Sequence, residues 1–147
     1  MSFKIHKNIL NKKEQKEILS FVKTKVKNFG DNHPGLQSDD NLHTYEKMNI
    51  FLNKILKFIK PNTIKTCWVN YSIGNTIMFH PHNSKYNIVY YLFNPSQLGV
   101  MFQEKNNTIK HTKGLENSLI IFDNSQLHSA PNSPKKINRY TIALEII

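Results

Sequence analysis

Cysteine and arginine are nearly missing from this chain. Cys67 is the one cysteine of 147 residues, so no disulfide can form within the chain and an oxidised scaffold is excluded. A single thiol fits a reducing compartment, and a cytoplasmic location is expected. Long apolar runs are lacking too. The opening stretch MSFKIHKNIL is broken by lysines, and no run approaches the roughly 20 residues of a membrane span. Neither a secretory leader nor a membrane partner is expected. Arg139 is the sole arginine, so the net charge of +10 is carried almost wholly by lysine. Such a charge attracts polyanions, but base edges are read mainly by arginine forks, which this chain lacks. A solvated lysine surface is the plainer reading, and nucleic acid is not an expected partner.

What the chain does have is the make-up of a folded protein. Hydrophobic residues form 39 % and aromatics 11 %, and the length suits one domain with a real core. No repeat or linker divides it. The first part, residues 1–60, reads as helical. Asn11 with Glu14 three residues later is a capping-box pattern, and Ile18, Leu19, Val22, Val26 and Phe29 then form one apolar stripe ahead of Gly30. A polar loop follows from Asp31 to Tyr45. Helical spacing resumes through Met48, Phe51, Leu52, Ile55 and Ile59 until Pro61 stops it.

From residue 61 to 147 the period changes. TIKTCWVNYSI, NIVYYLF, GVMFQ, NTIKHT, SLIIF and RYTIALEII are short β-branched or aromatic runs between Gly, Asn, Pro and Ser clusters. They predict a mainly β fold, an antiparallel sandwich or barrel flanked by two N-terminal helices.

Three features carry chemistry. His80 and His82 stand at i and i+2, which on extended chain project from one face and can aim two imidazoles at a common metal. Alone, a His-x-His pair is as readily two surface histidines. His128 follows the strand SLIIF in a short loop. Arg139 opens the last strand, where a guanidinium fork matches a carboxylate as lysine does not.

In order, YSIG at 71–74, HPH at 80–82, VYYLF at 89–93, LGVMF at 98–102, IIFDNSQLH at 120–128 and NRYTIAL at 138–144 resemble a known pattern. It is that of the Fe(II)/2-oxoglutarate-dependent dioxygenases, in the branch similar to prolyl hydroxylases. The resemblance runs from about Trp68 to the C-terminus. It implies a double-stranded β-helix, a cupin-like jelly roll. It also implies a hydroxylase that binds Fe(II), consumes 2-oxoglutarate as cosubstrate, and releases succinate and CO2 as it oxidises a peptide side chain or small molecule.

Residue by residue, the resemblance makes His80 and His128 metal ligands. Arg139 grips the distal carboxylate of 2-oxoglutarate, with Tyr91, Tyr71 and Thr141 beside it. Trp68 and Asn70 are either pocket or core, and Phe79, Ile88, Val89 and Phe122 form an apolar shell. Tyr90, alternating with Tyr91, is expected on the opposite face. The pattern departs at His82, where the family carries aspartate. His82 is taken as the third metal ligand; the other register makes His82 the first ligand and places Ser84 at the aspartate position. Two alternatives stand beside the dioxygenase: a cupin-like three-histidine metalloenzyme that does not use 2-oxoglutarate, and a non-enzymatic basic binding module.

Overall fold

The computed structural model describes residues 3–28, 36–59, 63–73, 83–131 and 138–147. In chain order its elements are β1 (Phe3–His6), α1 (Lys12–Lys23), β2 (Lys27–Asn28) and β3 (Leu36–Gln37). Two 3-10 turns (Leu42–Thr44 and Glu46–Met48) then lead into α2 (Asn49–Leu56). Strands follow: β4 (Ile64–Ile73), β5 (Tyr86–Phe93), β6 (Leu98–Gln103), β7 (Ile109–Lys113), β8 (Ser118–Asp123), β9 (Leu127–Ser129) and β10 (Asn138–Ile146).

Helix α1 begins as its sequence dictates. The Asn11 side chain accepts the Glu14 N–H, and the Glu14 carboxylate accepts the Asn11 N–H, each at 2.8 Å. It ends earlier than the apolar stripe implies. The Thr24 hydroxyl donates back to the Phe21 carbonyl at 2.6 Å, and by Lys27 the chain has turned to pair with Gln37. The N-terminal part is therefore not purely helical. It also gives β1, β2 and β3 to the sheet.

All strand pairings are antiparallel. The larger sheet runs β1-β8-β5-β10-β4-β3-β2 and the smaller β7-β6-β9. The architecture is mainly β, two facing sheets with two helices, a double-stranded β-helix. Strand alternation divides the larger sheet into two faces. One face holds Cys67, Val69, Ile88, Tyr90, Leu92, Ile142 and Leu144, which pack with Ile18, Val22, Phe51 and Ile55 of the helices. Phe51 and Tyr90 meet there with ring centroids 5.0 Å apart.

The opposite face turns toward the smaller sheet. A second apolar cluster of Tyr91, Val100, Phe102, Ile120 and Phe122 fills part of the space between sheets. The remainder stays open as a cavity. Asn117, in the left-handed region at φ 61°, ties the chain entering α1 to this framework. Its side-chain oxygen accepts the Leu10 N–H and the Tyr90 hydroxyl, each at 2.8 Å, while its amide donates to the Leu10 carbonyl at 2.7 Å. No helix among the described residues is long and apolar enough to cross a membrane.

Candidate active site

The cavity between the sheets measures about 310 Å³, and its wall includes Trp68, Asn70, Tyr91, His128, Arg139 and Thr141. The ladder explains why these residues meet. On β10, Arg139, Thr141 and Ala143 share the inner face, and Thr141 lies opposite Asn70 on one side and Tyr91 on the other. Ala143 lies opposite Trp68 and Val89 in the next row. The fold thus gathers residues from four separate stretches of sequence into one concave surface.

Arg139 is 6 % exposed. Among the described residues it forms no ion pair with any carboxylate. Burial lowers its basicity from the ordinary value, while the nearby Tyr91 hydroxyl acts in the opposite direction. A guanidinium stays protonated in proteins, so the cavity holds a buried positive charge. Tyr91 is buried beside it. Desolvation raises its phenol to about 12, against the Val100 N–H bond, the Arg139 charge and Thr112, which all pull downward. Tyr91 is thus a neutral phenol whose oxygen accepts the Val100 N–H at 3.0 Å. Thr141 adds a second buried hydroxyl.

His128 sits on β9, opposite Phe102 of β6, and is 7 % exposed. Its ring packs edge-on against Phe122 with centroids 4.7 Å apart. Its Nδ1 lies 3.0 Å from the Gln126 carbonyl, an acceptor only, so Nδ1 carries a proton and Nε2 is the ligating nitrogen of the neutral ring. A histidine oriented in this way by a backbone carbonyl has the form of a metal ligand. Among the described residues no group of three His, Cys, Asp or Glu stands ready to hold a metal. His80, His82 and Phe79 lie outside the described residues. The described donors nevertheless fit the expected groups: an imidazole for iron, and an unmatched buried guanidinium for a carboxylate.

Tyr71 is placed elsewhere. It alternates with Asn70 and stands on the other face of β4, its ring 4.7 Å from that of Tyr140 and its hydroxyl donating to Asn138 Oδ1 at 2.8 Å. It does not belong to the cavity wall, and the expectation that it lines the cosubstrate pocket does not match. Ser84 is buried, and its hydroxyl donates to Asn87 Oδ1 at 2.9 Å. Asn87 and Gln37 line the cavity and were not among the expected residues. Asn87 was open to discovery, since Asn87, Val89 and Tyr91 alternate onto one face. Gln37 was not, because a two-residue strand has no period.

No protein-family model matches the sequence, and neither does any curated protein. Solved structures do match. A prolyl hydroxylase from Trichoplax adhaerens, in complex with a hypoxia inducible factor oxygen degradation domain peptide, superposes with a TM-score of 0.74. The match covers 99 % of this chain and 83 % of that one at 16 % identity. A viral collagen prolyl hydroxylase from Paramecium Bursaria Chlorella virus-1, in a 2OG complex, gives 0.70 over 99 % and 96 % at 14 % identity. HygX from Streptomyces hygroscopicus, with nickel, 2-oxoglutarate and hygromycin B bound, gives 0.77 over 98 % and 82 % at 9 % identity. The fold is that of the 2-oxoglutarate–Fe(II) oxygenases.

Proposed function

We propose that the protein is a non-haem Fe(II)- and 2-oxoglutarate-dependent dioxygenase that hydroxylates a peptide side chain or a small molecule. The observation that carries this reading is Arg139, a buried cation without a carboxylate among the described residues, in the same cavity as a carbonyl-oriented histidine. His80, His82 and His128 hold the iron. Arg139 holds the distal carboxylate of 2-oxoglutarate as a fork, and Tyr91 and Thr141 offer hydroxyl groups to the same end.

When bound, iron and 2-oxoglutarate supply oxidising power from dioxygen, and the cosubstrate leaves as succinate and CO2. The chain's own part is orientation and exclusion. Arg139 and Tyr91 fix the anion, the Gln126 carbonyl fixes the His128 ring, and Val89, Val100 and Phe122 keep the cavity wall apolar. A peptide bound by the Trichoplax enzyme and hygromycin B bound by HygX support a peptide or small molecule as substrate class.

The test is succinate formation by purified, Fe(II)-loaded protein supplied with 2-oxoglutarate and panels of peptides and small molecules. Turnover that disappears in His128→Ala and in Arg139→Lys supports the reading. Absence of succinate across the panels contradicts it. Turnover of substrate that survives Arg139→Lys and needs no 2-oxoglutarate points to the cupin-like metalloenzyme instead.

A further inference from the structure

Both sheets end in open edges on one side of the molecule. Among the described residues β1 closes the larger sheet and β7 the smaller, and neither has a strand on its outer side. Between these edges lies a groove of about 300 Å³, walled by Phe3, Ile5, Lys7, His111, Lys113 and Leu115 among others. It shares no residue with the Arg139 cavity. Ile5 shows that the sandwich gapes here. It lies opposite Ile120 on the ladder, so both side chains point into the space between the sheets. Ile120 is 1 % exposed there and Ile5 40 %. The smaller sheet covers the one and stops short of the other. With the half-buried Phe3 and Leu115, Ile5 makes an apolar floor.

The rim of the groove is cationic. Lys4 lies on β1 and Lys7 just beyond it, with Lys110 and Lys113 on β7. All four are exposed, and none is ion-paired among the described residues. No carboxylate lines the groove among those residues. Lysines on an edge strand keep a sheet from pairing with its own copy, since a second copy brings the same charges to the same place. A strand of opposite charge meets attraction instead.

We infer that the groove docks an extended acidic segment of a partner protein, added as a further strand on the free edge of β1. Main-chain bonds to that edge hold the segment, and its inward side chains rest on Ile5 and Leu115. Its carboxylates reach Lys4 and Lys7, with Lys110 and Lys113 across the groove. An open backbone edge offers alternating N–H and C=O groups, which a peptide strand matches and a phosphate backbone does not.

The probe is a fluorescein-labelled heptapeptide of alternating Glu and Val, titrated by anisotropy into the full chain beside a Lys-Val heptapeptide and hexaglutamate. Wild type is expected to bind Glu-Val at least about tenfold more tightly than hexaglutamate, and Lys-Val not at all. Ile5→Glu and Lys4→Glu/Lys7→Glu are each expected to weaken Glu-Val binding about tenfold. Lys16→Glu/Lys47→Glu makes the same change of net charge on the helical side and is expected to weaken it less than about twofold. Amide hydrogen exchange in β1 should slow when Glu-Val is added, because its free edge gains bonds. Equal weakening by the two lysine pairs, or hexaglutamate binding as tightly as Glu-Val, makes the attraction a property of overall charge and overturns the inference. A dimer in sedimentation that Ile5→Glu dissolves assigns the groove to a second copy and overturns it too, as does absence of Glu-Val binding. Should Ile5→Glu fail to fold, the lysine pairs and the exchange pattern decide. None of these outcomes bears on the reading of Arg139.

Discussion

Burying a guanidinium without a carboxylate destabilises a fold, and Arg139, the one arginine of the chain, is buried with no carboxylate paired to it among the described residues. Arg139→Met is therefore expected to stabilise the ligand-free protein by ~1 kcal/mol and to show none of the thermal stabilisation that 2-oxoglutarate is expected to give wild type. A thermal melt with and without the cosubstrate reads both effects. Tyr91 yields a pH dependence. Its phenol is raised to about 12 in the folded chain, so folding favours the neutral form. Its contribution is intact below the ordinary phenol value of about 10 and is lost as pH rises toward about 12. In Tyr91→Phe the denaturation midpoint should fall less steeply over that alkaline range. Cys67 is fully buried, and desolvation pushes its thiol far above the ordinary value. Native protein should leave a thiol reagent unreacted until denaturant is added; rapid labelling of the native state would contradict this burial.

At the scale of elements, the cavity wall depends on what stands behind it. A Cβ at Gly114 would lie 2.6 Å from Tyr91 Cε1 and 2.7 Å from the Leu98 carbonyl, and the backbone atom has no rotamer by which to yield. Gly114→Ala should cost about 1–3 kcal/mol and should weaken 2-oxoglutarate binding, because the Tyr91 ring must move. Phe51→Ala, on the helix side of the sheet, should cost about 3–5 kcal/mol with binding intact in whatever fraction folds. Chemical denaturation paired with titration separates the two.

Much of this was legible beforehand. The capping box of α1 and the β-branched and aromatic runs of β4, β5, β8 and β10 are local signals strong enough to read directly. Elements of two to four residues, β1, β2, β3 and β9, carry too little pattern to show themselves and exist only through their partners. Tyr71 is a different case. Alternation along β4 sets it on the face opposite Trp68 and Asn70, a constraint stronger than its place in the motif order.

Over the whole molecule, fold outlasts identity. At 16 % identity or less, the chain still superposes on 2-oxoglutarate oxygenases over 98–99 % of its length. Charge is divided accordingly. The lone arginine is inside, and the net charge of +10 is a lysine coat that does not define the site.

The most direct measurement is a crystal structure grown anaerobically with Mn(II) and 2-oxoglutarate, with diffraction recorded at the metal's absorption edge. The expected result is one anomalous peak bound by His80, His82 and His128 Nε2, with a carboxylate of 2-oxoglutarate forked on Arg139. A metal peak remote from His128, or a cosubstrate that leaves Arg139 untouched, would contradict the assignment.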